Sequence, residues 1–260
     1  TSDNGMTELQ SIEYHGTLTQ PEKKGLQLEF IGDSITVGDG MLWKSGSNDY
    51  VLNQNTMLGY AAKTAAKLNA DFSMIAHSGI TTAGMLTSPQ SYVKANEEFA
   101  LNSSGKQVVV INLGTNDIGL PETCDTDVLK TAIGQLMDAV IEQNDKHTCI
   151  VWAYGMMSTK GLDVIKEAVE SQANGRNIWF CDLSAAKDNS GWGEHPSQTG
   201  NDEAAEILAK FITDTCLPVI EAGHKLVKTD AKAATCQSEG NNEYYTCSVC
   251  GKLFSDANGT

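Results

Sequence analysis

Five short apolar runs, interleaved with longer stretches of helical periodicity, constrain this chain more than any other feature. The runs are Leu26 to Ile31, Phe72 to Ala76, Gln107 to Leu113, Thr148 to Tyr154 and Asn177 to Leu183. They are near-continuous rather than alternating, the pattern of strands buried on both faces of a parallel sheet. Helical patterns occupy Met57 to Leu68, Thr126 to Asn144, Asp163 to Asn174 and Thr199 to Thr213. In the second of these, Leu129, Ile133, Leu136, Met137 and Val140 form one stripe turned towards a core. Parallel strands connected through helices require right-handed crossovers, so the pattern predicts a three-layer α/β/α domain with about five parallel strands.

A chain of 260 residues holds one such domain of about 200 residues and a small appendage. Residues 1–25 are polar, carry Pro21, Glu22, Lys23 and Lys24, and read as a lead-in segment. The domain is expected over 26–220, and a polar, cysteine-bearing tail over 221–260. No apolar stretch approaches the roughly 18 residues that span a bilayer as a helix. The formal charge of −15 argues against nucleic acid, anionic lipid and heavily charged acidic glycans as partners, and favours a neutral or weakly charged substrate. Cys124, Cys149, Cys181 and Cys216 are scattered through the domain and read as small buried hydrophobes rather than a disulfide framework.

The residues that carry chemistry stand where the apolar runs end. Ser34 follows the first, in Ile31-Gly32-Asp33-Ser34-Ile35-Thr36-Val37-Gly38; Gly79 follows the second, in His77-Ser78-Gly79; Asn116 follows the third, in Gly114-Thr115-Asn116-Asp117; His195 follows the fifth, in His195-Pro196-Ser197. Open α/β sheets build their ligand sites at the carboxyl ends of strands, so all four residues are able to converge on one rim. A serine hydroxyl needs a base within hydrogen-bond reach and donors aimed at the developing oxyanion. His195 suits the base, and the N–H groups of Ser34 and Gly79 with the side-chain amide of Asn116 suit a three-donor oxyanion hole. Asp33 and Asp117 read as residues that hold turns, and His77 as a structural or rim residue.

The ordered blocks Gly-Asp-Ser, Ser-Gly, Gly-Thr-Asn-Asp and His-Pro-Ser resemble the SGNH (GDSL) hydrolase superfamily, whose fold is flavodoxin-like. The stretches Leu28 to Thr36, Ala61 to Asp71 leading to Ile80, and Val110 to Asp117 look more specifically like family-2 carbohydrate esterases, over residues from about 26 to 213. That resemblance implies a serine esterase that removes O-acetyl groups from plant polysaccharides such as xylan or glucomannan, through an acetyl-serine intermediate and without a cofactor. It also implies an acetylated glycan as partner and a secreted or cell-surface bacterial location.

Superfamily members commonly place an aspartate three residues before the histidine. Trp192 occupies that position here. The resemblance allows a Ser-His dyad with His195 oriented by a backbone carbonyl; Glu194, Asp188 and Asp182 are the alternative acids. Trp192, Trp43 and Tyr50 are candidates for a sugar-binding cleft, with loop packing as the alternative. In the tail, His224, Cys236, Cys247 and Cys250 supply one imidazole and three thiolates, the donor set of a structural zinc site; a disulfide with one free thiol, or free cysteines, also fit. Two rival functions remain, a lysophospholipase or thioesterase on the same scaffold and a non-catalytic glycan-binding surface module.

Overall fold

The computed structural model describes residues 24–44, 53–88, 91–99, 106–120, 124–144, 147–221, 226–234, 239–248 and 253–257, with isolated positions ahead of residue 24. The chain divides into two compact units, Thr1–Phe211 and Ile212–Thr260, against an expected domain boundary near 220; the division falls close to Thr213, where the helical periodicity ends.

In the first unit the elements follow the order β1 (Gln27–Gly32), α1 (Ser34–Val37), α2 (Tyr60–Lys67), β2 (Asp71–Ala76), α3 (Gly84–Thr87), α4 (Tyr92–Phe99), β3 (Val108–Asn112), α5 (Thr126–Gln143), β4 (Cys149–Tyr154), α6 (Leu162–Ser171), β5 (Ile178–Asp182) and α7 (Gln198–Phe211). The strands form one parallel sheet in the order β2-β1-β3-β4-β5. Each apolar run lies on its strand to within about two residues. β3 shows why: Val108-Val109-Val110-Ile111-Asn112 is rich in β-branched side chains, and every residue of it is buried.

Register sorts these side chains onto two faces. Ile31 lies opposite Ile75 and Ile111, and Ile111 opposite Trp152, while Val109 lies opposite Ile150 and Ile150 opposite Ile178. This row packs under Met85 of α3, Tyr92 of α4, Ile165 of α6 and the α5 stripe Leu129, Ile133, Leu136, Met137 and Val140. Each such aliphatic side chain removed from water contributes about 1.5–3 kcal/mol. α5 starts where it does because Asp125 accepts from the N–H groups of Asp127 and Val128. On the other face Phe30 meets Tyr60 of α2 edge-on, with ring centroids 6.0 Å apart. α2 packs against α7, an approach made close by buried Ala61, Ala65, Ala204 and Ala205. The result is the expected α/β/α sandwich.

The chain runs from β1 outward to β2 and then returns to the other side of β1 to lay down β3. The strand order therefore reverses between β1 and β3. At such a switch point the connections leave in opposite directions and open a crevice beyond the carboxyl ends of the two strands.

The second unit continues from a π-helical turn, Ile212–Cys216, into α8 (Leu217–Glu221). Beyond it, β6 (Leu226–Thr229), β7 (Tyr244–Cys247) and β8 (Leu253–Phe254) form a three-stranded antiparallel sheet in the order β6-β7-β8. The segment read as a polar tail thus contains regular structure. His224, Cys236 and Cys250, as well as the side chain of Cys247, lie outside the described residues, as does Tyr50. Among the described residues no group of three or more His, Cys, Asp or Glu side chains is placed to hold a metal ion. Of the scattered cysteines, Cys149, Cys181 and Cys216 are buried as expected, but Cys124 is half-buried; all four are free thiols. Burial pushes the Cys181 thiol up to about 12, with the Asp182 carboxylate pushing the same way, so it is no nucleophile.

Candidate active site

β1 ends at Gly32, and the next two residues turn the chain into α1. Asp33, fully buried, caps that helix by accepting from the N–H of Ile35 at 3.0 Å. Ser34 is the first residue of α1, so its N–H has no acceptor within the helix. The helix stops after one turn because Gly38 adopts a left-handed conformation (φ 85°) and its N–H returns to the carbonyls of Ser34 and Ile35.

The Ser34 hydroxyl meets the His195 ring, with Oγ 2.9 Å from Nε2 across 161 residues of chain. On the far side of the ring, Nδ1 lies 3.0 Å from the main-chain oxygen of Trp192. A carbonyl accepts and never donates, so this contact fixes the proton on Nδ1 and leaves the Nε2 lone pair directed at the serine hydroxyl. The position of the missing aspartate is filled by a backbone atom. The alternative acids are occupied elsewhere: Asp188 accepts from the N–H and hydroxyl of Ser190, Asp182 accepts from the N–H of Ser184, and Glu194 is exposed.

His195 is held by a network that reaches three other elements. Gly193 and Glu194 both have φ 63°, and for Glu194, which carries a Cβ, this left-handed backbone costs about 1 kcal/mol or more. His195 itself is extended (φ −68°, ψ 155°), as Pro196 requires. The N–H of Trp192 donates to the Gly40 carbonyl at 3.0 Å, and so does the N–H of Trp43. One carbonyl thus gathers both tryptophan backbones beside the base; Trp192 is half-buried and Trp43 is 37% exposed. Gly40 has φ 69°, and a Cβ there would sit 2.6 Å from the Trp192 oxygen that aligns the imidazole. Behind His195, buried Asn201 accepts from the N–H of Tyr60 and donates to the carbonyls of Pro196 and Ser197. The Tyr60 hydroxyl in turn bonds Thr36 on α1, so base and nucleophile share one buried scaffold.

The other oxyanion candidates lie in the turns that leave the carboxyl ends of β2 and β3, the two strands that flank β1. Gly79 sits in the turn after β2 with φ 77°, a backbone that favours glycine, and the space beside its Cα is open. Asn116 lies in a π-helical turn, Thr115–Gly119, directly after β3. Its amide donates to the Ile80 carbonyl at 3.0 Å and, at a longer 3.3 Å, to Asp33. Asp117 accepts from both the N–H and the hydroxyl of Thr82, which pins the β3 turn to the β2 turn. Burial raises the Asp33 carboxyl to about 7 against the N–H of Ile35, which favours its ionised form; the nearby carboxylates of Asp117 and Asp39 push it up further.

The structure brings Ser34 and His195 together and places Gly79 and Asn116 in the turns that follow β2 and β3, as the motifs suggest; Asp39, Gly40, Ser78 and Asn201 were not singled out by the sequence. The glycines at 38 and 40 were the available signal, since closely spaced glycines mark backbone that turns or is approached closely.

The sequence profile of the GDSL-like Lipase/Acylhydrolase family matches residues 30–203. Among curated proteins, the cellulase/esterase CelE of Acetivibrio thermocellus is 33% identical over 215 residues, covering 75% of this chain and 26% of that protein. The acetylxylan esterase / glucomannan deacetylase of Cellvibrio japonicus is 32% identical over 135 residues, covering 43% of this chain and 38% of that protein. The chain therefore spans well under half the length of these relatives. A solved family two carbohydrate esterase from Clostridium thermocellum, in complex with cellohexaose, superposes with a TM-score of 0.64 at 29% identity, covering 78% of this chain and 67% of that one. With the profile spanning most of the first unit and every motif block, the chain belongs to the GDSL-like lipase/acylhydrolase family.

Proposed function

We propose that this chain is a serine esterase that removes O-acetyl groups from plant-type polysaccharides. The observation that carries the reading is the relay from Ser34 Oγ to His195 Nε2, at 2.9 Å, and from Nδ1 to the Trp192 carbonyl, at 3.0 Å. In the first step Ser34 Oγ attacks the acetyl carbonyl carbon while its proton passes to Nε2. The oxyanion that develops is received by the N–H groups of Ser34 and Gly79 and by the Asn116 amide, whose long contact to Asp33 is the one most readily exchanged. Collapse expels the sugar oxygen, which takes the proton back from Nε2, leaving acetyl-Ser34. Water then repeats the sequence with His195 as base and releases acetate.

The substrate class draws support from the relatives, which are named as acetylxylan esterase, glucomannan deacetylase and carbohydrate esterase. A net charge of −15 suits a neutral glycan. Trp43 and Trp192, whose main chains meet at the Gly40 carbonyl, carry aromatic side chains of the kind that suits the apolar face of a pyranose ring. A polymeric substrate puts the reaction outside the cell, in the secreted or cell-surface bacterial setting that the sequence resemblance implies. The test is acetate release from acetylated xylan and glucomannan by wild type and Ser34→Ala, beside hydrolysis of 4-nitrophenyl esters of increasing chain length. The variant is expected to lose at least about 10⁴-fold in kcat. Retained activity in Ser34→Ala would sink the mechanism, and faster cleavage of long-chain than of acetyl esters would shift the reading to a lipase or thioesterase.

A further inference from the structure

The Gly38-Asp39-Gly40 segment is bonded to the base loop, to the nucleophile turn and to the turn that carries Gly79. Gly40 receives the Trp192 N–H of the base loop, Asp39 N–H returns to the carbonyl of Ser34 at 3.0 Å, and the Asp39 carboxylate accepts from the Ser78 hydroxyl at 2.5 Å. Ser78 directly precedes Gly79, and its turn is closed by the N–H of Ile80 on the His77 carbonyl at 3.2 Å. Asp39 is 1% exposed, an unusual place for a carboxylate at the end of a one-turn helix. Neither Asp39 nor Ser78 is placed to touch the reacting atoms through the relay described above.

We infer that Asp39 is a positioning residue for the oxyanion hole: through Ser78 it ties the Gly79 turn to the nucleophile turn, so that two N–H donors from separate strand ends keep a fixed spacing. The inference rests on the proposed esterase reading. Its physical basis is that an oxyanion donor acts only when aimed at the position the oxygen will occupy, and a turn on an exposed rim does not hold such an aim by itself. Asp39 holds the Ser34 carbonyl with its main chain and the Gly79 turn with its side chain, so one residue sets the distance between the two. A carboxylate is suited to this task because its charge strengthens the bond to the serine hydroxyl.

The test is steady-state hydrolysis of 4-nitrophenyl acetate by the full chain and by Ser78→Ala, Asp39→Ala, their double variant and Asp39→Asn, with melting temperature measured alongside. Ser78→Ala is expected to lower kcat about tenfold or more with KM within about twofold, because donors aimed at the oxyanion act in the transition state and not in the ground state. Asp39→Ala is expected to lose at least as much, and the double variant no more than Asp39→Ala alone. Asp39→Asn, which keeps an accepting oxygen for Ser78, is expected to recover kcat to within about threefold of wild type. Should Asp39→Ala not fold, Ser78→Ala and Asp39→Asn decide the matter together. A Ser78→Ala enzyme with unchanged kcat, losses that multiply in the double variant, or an Asp39→Asn enzyme as slow as Ser78→Ala would each overturn the inference while leaving the esterase reading intact. A wild-type protein without esterase activity would remove both.

Discussion

Ser34 and His195 meet at 2.9 Å, yet they are put there by different forces. Ser34 is carried by regular structure. It follows a strand flanked by β2 and β3, Asp33 caps its helix, and Leu28, Phe30 and Ile31 beneath it are fully buried. His195 lies in the stretch between β5 and α7, where the only regular element is a three-residue 3-10 turn. Its orientation comes from hydrogen bonds to Trp192, and through Trp192 to Gly40, with Asn201 fixing the turn that follows. The nucleophile is thus placed by hydrophobic burial, which is strong and undirected, and the base by directional polar contacts, each modest in net free energy. Substitutions on the base side are therefore expected to separate activity from stability.

His195→Ala makes the largest break. It removes the only group that accepts the serine proton, and kcat is expected to fall by about 10⁴-fold or more while the melting temperature moves by no more than a few degrees. A large loss of stability would show that the base arm is part of the fold's support after all. Gly40→Ala comes next, at about 10²-fold in kcat, because a side chain is strained at the existing φ of 69° and the added methyl group would lie 2.6 Å from the Trp192 oxygen and push on it. Activity close to wild type would mean that the carbonyl is not what aims the ring. On the nucleophile side, the Asp33 carboxyl is raised from 3.8 to about 7, so the folded state holds a proton that the unfolded state releases between those values. Stability must then decline as pH rises from about 4 to about 7 and level off above. Asp33→Asn keeps an oxygen for the Ile35 N–H and is expected to flatten that decline in melting temperature; Asp117, raised in the same direction by burial, leaves a residual slope. An unchanged slope would take Asp33 out of the account. Glu194→Gln is the smallest, with kcat within about twofold of wild type, since the exposed Glu194 side chain lies outside the relay. A loss matching His195→Ala would restore a carboxylate to the mechanism.

The same contrast explains what was legible in the amino-acid sequence. Burial writes itself into local pattern: the Val-rich run of β3 and the α5 stripe from Leu129 to Val140 both lie where periodicity placed them. The strand-end motifs put Ser34, Gly79 and Asn116 at the sheet's carboxyl rim because strand ends are fixed once strands are, whereas His195, well past the end of β5, is brought to Ser34 by its polar contacts. Polar placement leaves no such trace. Asn201 bonds Tyr60 across 141 residues, and Ser78 bonds Asp39 across 39, with nothing periodic to announce either. The sheet of β6, β7 and β8 escaped for a related reason: Val227 and Leu253 are exposed, so its strands lack a consistent apolar face.

The oxygen that steers the imidazole belongs to the peptide backbone, an atom that all twenty amino acids share. Proton transfer is in that respect indifferent to what residue 192 carries beyond its Cα. Replacing the Trp192 side chain is therefore expected to leave the rate on a small activated ester close to that of the wild type, because the relay draws only on the main-chain oxygen of that residue.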